Sequence, residues 1–201
     1  TQEHSSAASD VYKRQTSIGG SVDGPTNAAI GNNSFIYDYT VSDGIAIKAA
    51  YLPSKASSVM QSSTEIGIQY TGMEGLTVSA AMGENNSAAD QIDLSVFNIK
   101  YAMGPITVGY QANESDAGTG VDEDFTAYGI SYQVNDDVAV SYGASSLDYG
   151  DTQEDQESSA VSVSFTAGGV AMSASHQTTD NVAGATATDN SSYEINFSFA
   201  F

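Results

Sequence analysis

From residue 34 onward, large apolar residues alternate with small or polar residues in one short segment after another. Side chains of a β-strand point to opposite faces in turn, so a period of two predicts strands with one apolar and one polar face. About eleven such segments follow one another, each about 8–10 residues long, which is the length of a membrane-spanning strand. The last segment ends in a row of apolar residues at Tyr193, Ile195, Phe197, Phe199 and Phe201.

The opposite positions of these segments hold mainly Ser, Thr, Gly and Gln, with almost no lysine. A soluble sandwich would carry Lys and Glu on its outer face. Small uncharged polar residues are more typical of the interior of a water-filled barrel. A few charged residues occupy the same positions, where they either line the interior or lie near its rims. We predict that five of them line a pore: Asp38, Lys48, Glu65, Lys100 and Glu194.

The connections between the predicted strands alternate between short and long. Short, long, short, long is the pattern of an antiparallel up-and-down transmembrane β-barrel, in which the tight turns share one end. The chain also terminates at that end. The predicted tight turns are 42–44, 72–75, 103–105, 135–137 and 168–169, and the long links are 53–63, 84–91, 114–124, 148–158 and 178–191.

Composition excludes several classes of protein. Acids outnumber bases 25 to 5 and the net charge is −20, which argues against nucleic-acid binding. The chain has no cysteine, so disulfides and thiolate metal sites are excluded. No apolar stretch approaches the roughly 20 residues that a transmembrane helix needs. No nucleophile, base and orienting acid can be assembled around His176, so we predict no enzymatic activity, no cofactor and no metal centre.

Two acid-dense segments, 122–124 and 148–157, lie in the long links. They form either a solvated anionic rim or a calcium site, because Ca²⁺ binds several carboxylate and carbonyl oxygens. No EF-hand spacing is present, which favours the rim.

The first fifteen residues are either a genuine polar N-terminal tail or a segment of different origin from the rest, and their sequence favours the second. Residues 5–15 can be back-translated into the adaptor of a transposase-based sequencing library, so we expect residues 1–15 to be a non-native remnant. The native protein is then expected to continue upstream, with its signal peptide.

The aromatic residues of the last strand resemble the assembly signal of Gram-negative outer-membrane proteins. Residues 34–201 are similar to general diffusion porins, especially those of alphaproteobacteria, and residues 33–39 resemble the strand after their constriction loop. The resemblance implies that 16–33 is the tail of that loop and that strands six to sixteen of a sixteen-stranded barrel follow. It also implies homotrimers, and recognition of four residues by the barrel-assembly machinery: Tyr193, Phe197, Phe199 and Phe201.

One departure from that family concerns arginine. Arg14 is the only arginine in the chain, so residues 16–201 lack the arginine cluster of many porin pores. The strand pattern predicts a channel in the bacterial outer membrane for passive diffusion of ions and small hydrophilic solutes. The acidic loops should concentrate cations at its mouth, so we predict a mild preference for cations. The alternative is a soluble or surface-attached acidic β-sandwich that acts as an adhesin or binding module.

Overall fold

The computed structural model describes residues 35–53, 60–87, 91–118, 122–150 and 153–199. Residues 1–15 and 16–33, for which the sequence predicted an adaptor remnant and a loop tail, lie outside the described residues, as does Phe201. Within the described ranges, no helix is long and apolar enough to cross a membrane.

The fold is all-β, as predicted. Eleven antiparallel strands form one up-and-down sheet in which each strand pairs with its neighbours in sequence. The strands are β1 (Phe35–Ser42), β2 (Ile45–Leu52), β3 (Met60–Tyr70), β4 (Leu76–Ser87), β5 (Gln91–Met103), β6 (Ile106–Ala117), β7 (Glu123–Gln133), β8 (Val138–Asp148), β9 (Gln156–Ala167), β10 (Val170–Asp180) and β11 (Asn190–Phe199).

The described residues fall into two compact units. The first unit contains residues up to 100 together with 111–125, and the second contains 101–110 and everything from 126 onward. In the first unit, Ile66 pairs with Met82 across β3 and β4. In the second, Met172 of β10 pairs with Phe165 on one side and Phe197 on the other. Cross-strand register therefore places apolar residues beside one another, and we call this side of each unit its aromatic face and the opposite side its polar face.

The aromatic faces are exposed. Tyr193 is 79% exposed and Ile66 52%, whereas the buried apolar residues of the described chain are few and mostly alanine. A soluble sandwich would bury such side chains in a dry core and would not expose them as a continuous row. The distribution therefore opposes the alternative of a soluble β-sandwich.

The predicted tight turns are confirmed. Gly168 and Gly169 form a two-residue turn between β9 and β10, and both have positive φ, at 59° and 81°. A two-residue hairpin with both central residues at positive φ matches the right-handed twist of the flanking strands and favours glycine.

Several strands are longer than the sequence indicated. β4 continues to Ser87 and β6 to Ala117, so much of the predicted links 84–91 and 114–124 is strand. The alternation of apolar and polar residues stops near these positions, but backbone pairing does not depend on apolar side chains. The strands therefore extend beyond the apolar part of their aromatic face.

We expect an added charge to destabilise the protein more on the aromatic face than on the polar face. Ile68 lies on the aromatic face opposite Ala80, and Gln69 lies on the polar face opposite Ser79. We expect Ile68→Lys to lower the free energy of unfolding by about 2–4 kcal/mol if the residue lies near the mid-plane of the bilayer. The matched Gln69→Lys should change it by less than about 1 kcal/mol, because its charge stays in a polar environment. Denaturant titration of the protein from its native gene, in lipid vesicles, measures both; equal costs would contradict the assignment of faces.

Candidate functional site

The first charged contact on the polar face joins β1 and β2. Asp38 and Lys48 lie directly opposite one another, and Lys48 Nζ is 3.5 Å from Asp38 Oδ1. Both side chains are about 60% exposed, at 62% and 61%. The structure thus brings together two of the five residues that were predicted to line a pore. These two residues have opposite charges and form a solvent-exposed ion pair.

Glu65 lies further along the polar face of the same unit. It pairs with Gly83 of β4, and a Cβ at Gly83 would lie 3.0 Å from Glu65 Cγ. The missing side chain at Gly83 therefore leaves room for the Glu65 side chain to lie across the neighbouring strand. Glu65 is half-buried, unlike the exposed Asp38 and Lys48.

Amides and hydroxyls also lie on the polar face of this unit. Gln111 is 1% exposed and its Nε2 donates to Asn113 Oδ1 at 2.9 Å, while Ser79 Oγ donates to Asn98 Oδ1 at 2.6 Å. Gln111 Oε1 accepts no hydrogen bond from the described residues. Amide and hydroxyl groups of this kind make the face hydrophilic without adding charge.

The remaining two predicted pore residues lie apart from these. Lys100 is exposed on β5, on the polar side of its strand. Glu194 belongs to the second unit, pairs with Ser175, and accepts a hydrogen bond from Asn196 Nδ2 at 3.0 Å through Oε1. All five residues occupy polar positions, and Asp38 and Lys48 form an ion pair. Their role in a pore remains a prediction.

In the second unit, hydroxyl groups bridge neighbouring strands on the polar face. Ser141 Oγ is 3.0 Å from Ser162 Oγ, and Ser158 Oγ is 3.1 Å from Thr179 Oγ1. Two hydroxyl groups that face one another across strands can satisfy each other's hydrogen bonding without carrying a charge. They therefore keep the face polar and add little to the electrostatic field along it.

The aromatic face of the second unit has its own aromatic contact near the long-loop end. His176 pairs with Tyr193, and their rings stack with centroids 4.3 Å apart and an interplanar angle of 28°. His176 thus lies on the apolar side of its strand, where the sequence placed it. Phe197 and Phe199 continue the row, with 60% and 58% of their surface exposed.

The sequence analysis missed how the loops of this unit pack. Segments 148–158 and 178–191 were predicted to be long links, of which the first was expected to form a solvated anionic rim. The acids that the structure describes in the first segment are exposed, but Leu147 and Tyr149 near its start are only 6% and 8% exposed, and Tyr149 lies against Gly184 of the second segment. Their polar-face positions are out of phase with the apolar residues of β8, such as Val140 and Tyr142. That change of phase was the signal that a loop covers the polar face here.

A shallow groove lies near the long-loop end of the first unit, with a volume of about 550 Å³. Its lining includes Glu84, Asp93, Glu114 and Asp116, and Ser95 Oγ donates to Glu114 Oε2 at 3.4 Å. Within the ranges that the structure describes, no group of three or more His, Cys, Asp or Glu side chains is placed to hold a metal ion.

A sheet with an exposed aromatic face, a polar opposite face, short turns at one end and long loops at the other defines the outer-membrane β-barrel class. A sequence profile described as Gram-negative porin matches residues 4–157. The chain belongs to the Gram-negative porin family. The narrower likeness to alphaproteobacterial porins stays a prediction. A search among curated protein sequences returned no significant match.

Solved structures with a similar fold include outer-membrane porins. The anion-selective porin from Comamonas acidovorans superposes with a TM-score of 0.67 at 11% identity, over 87% of this chain and 64% of that one. Pseudomonas aeruginosa OccK3 superposes with a TM-score of 0.61 at 15% identity, over 81% of this chain and 56% of that one. A loop-L8 deletion mutant of Vibrio cholerae OmpT superposes with a TM-score of 0.56 at 20% identity, over 96% of this chain and 72% of that one. The chain thus spans less than two thirds of the first two proteins.

Family and fold together place the protein in the bacterial outer membrane. The exposed aromatic faces are then the surfaces that contact lipid, where exposed Phe, Tyr and Ile side chains are favourable. The polar faces point away from lipid.

The Asp38–Lys48 pair generates a prediction about coupling. Because both side chains are more than half exposed, water and salt screen their attraction. We expect a double-mutant cycle of Asp38→Asn and Lys48→Met to give a coupling free energy below about 1 kcal/mol in unfolding titrations. The coupling should fall further when the salt concentration is raised. A coupling of several kcal/mol would mean that the pair is buried in the assembled protein.

Proposed function

We propose that the protein forms a water-filled channel through the outer membrane for passive diffusion of ions and small hydrophilic solutes. The observation that carries this proposal is the separation of the two faces in a porin-family chain. Aromatic residues occupy one side of each unit and are exposed, and the other side carries serines, amides and a few charges. Lipid on the first side and water on the second is the arrangement that this separation favours.

The channel carries no covalent chemistry in this proposal. Its strands satisfy their backbone hydrogen bonds through one another, and the polar face replaces part of the hydration of a passing solute. Asp38, Lys48, Glu65, Lys100 and Glu194 contribute to the field along the path, because charged side chains that line a pore influence which ions pass.

A mild preference for cations follows from the charge of the chain. Acids outnumber bases 25 to 5, and exposed acids such as Glu154 and Asp155 lie at the long-loop end. Negative charge at a channel mouth concentrates cations there, within a distance that falls as salt is added. One structural neighbour is named an anion-selective porin, but at 11% identity the likeness shows the fold alone.

Two further features of the proposal rest on family resemblance. Three copies form a homotrimer, and the barrel-assembly machinery recognises Tyr193, Phe197, Phe199 and Phe201 of the last strand. In the same reading the eleven strands belong to a sixteen-stranded barrel, and residues 16–33 are the end of the constriction loop.

The reversal potential of the reconstituted protein tests the proposal. With the protein expressed from its native gene in planar bilayers, a tenfold KCl gradient should give single-channel currents that reverse on the cation-selective side of zero. The reversal potential should move closer to zero when both KCl concentrations are raised at a fixed ratio, because salt screens the exposed acids. Currents that reverse on the anion-selective side would contradict the cation preference, and the absence of any current would contradict the channel.

A further inference from the structure

The last long loop, residues 181–189, is folded against the strands of the second unit. Its backbone N–H at Ala183 donates to Gln156 Oε1 at 2.9 Å, and Asn181 Nδ2 donates to the carbonyl of Asp155 at 3.1 Å. The N–H of Glu154 returns a hydrogen bond to the carbonyl of Gly184 at 3.2 Å. Three hydrogen bonds therefore join the folded loop 181–189 to the start of β9 and the residues just before it.

The residues that the loop contacts show which face of the strands it covers. Gln156 lies on the polar face of β9 and is 9% exposed, and Tyr149 follows the polar positions of β8 and is 8% exposed. A Cβ at Gly184 would lie 3.0 Å from Tyr149 Cδ2 and 2.7 Å from Gln153 Cβ. The loop therefore lies over the polar face, at close contact that only glycine allows at position 184.

The backbone of the folded loop is constrained in an unusual way. Asn181, Ala183 and Ala187 have positive φ angles of 51°, 56° and 56°, and no other non-glycine residue of the described chain has one. Internal hydrogen bonds hold this conformation: Asn181 accepts from the N–H of Ala187 at 3.3 Å, and Asp189 accepts from the N–H of Asn181 at 3.2 Å. Such conformations persist where surrounding contacts determine them, so the loop has one defined position.

We propose that the folded loop 181–189 restricts the path along the polar face and so lowers the upper size of solutes that pass. This inference rests on the proposed channel function. Pore width is the first determinant of which neutral solutes permeate, and a loop fixed over the wet face narrows that width. Gly184 and Gln156 are positioning residues: neither needs to contact a solute, but both hold the loop against the face.

The test compares the permeation of a small and a large neutral solute. Vesicles containing the protein from its native gene are mixed with a pentose or a trisaccharide, and the swelling rates are measured by light scattering. In Gly184→Val, the added side chain cannot fit against Tyr149 and Gln153, so the loop should leave the polar face. The ratio of trisaccharide rate to pentose rate should rise severalfold.

Matched controls separate loop position from general damage. Gly168 has a positive φ of 59° but nothing within 4 Å of a Cβ, and it lies in a turn at the other end of the strands. Gly168→Val should therefore leave the permeation ratio unchanged. A second variant, Gln156→Ala, removes the acceptor of the Ala183 N–H without adding bulk, and should raise the ratio; Gln177→Ala, on the same face of β10, should not.

The outcomes are distinct. An unchanged ratio in Gly184→Val and Gln156→Ala, in proteins that assemble like the parent and carry ions, would overturn the role of the loop and leave the channel intact. If Gly184→Val fails to assemble, Gln156→Ala decides alone. A parent protein that passes neither ions nor pentose would overturn the channel itself, and the loop's role with it.

Discussion

Hydrocarbon offers no hydrogen bonds to a polypeptide backbone, and this constraint governs the whole structure. Each strand must pair its N–H and C=O groups with neighbouring strands, because an unpaired group in lipid costs several kcal/mol. The nine inner strands, β2 to β10, meet this requirement by pairing with a neighbour on each side, and β1 and β11 each pair with one neighbour in the described sheet. Once the backbone is paired in this way, side chains can only alternate between the two sides of the sheet.

Because side chains alternate between the two sides of the paired strands, the sheet has one apolar and one polar surface. In the register of β10 with its neighbours, Met172 lies between Phe165 and Phe197, while the adjacent Ser173 lies between Ser164 and Asn196. Side chains of like character therefore meet across the strands, and few apolar side chains of the described residues are buried. The function that we propose depends on the same separation, since a wet path through lipid needs a polar wall whose reverse side is apolar.

Most of the fold could be predicted because its determinants are local. Glycine turns such as Gly168-Gly169 and the period of two are visible in single segments. Strand ends were harder to predict, because β4 and β6 continue by backbone pairing after their apolar residues stop. The contact of Asp38 with Lys48 depends on the register between two strands. The fold of loop 181–189 depends on Gln156 and Tyr149, which lie more than twenty residues away in sequence. The apolar residues at polar-face positions near Tyr149 indicate that the face is covered, but they do not indicate which segment covers it.

The central claim is that lipid and water lie on opposite sides of the same strand, and thiol accessibility tests it most directly. The chain has no cysteine, so single substitutions Met172→Cys, Ser173→Cys, Ala174→Cys and Ser175→Cys can be compared with an unsubstituted control in lipid vesicles. A charged, membrane-impermeant thiol reagent should label the cysteines at 173 and 175 and leave those at 172 and 174 unlabelled. Labelling without alternation, or with the opposite alternation, would contradict the account.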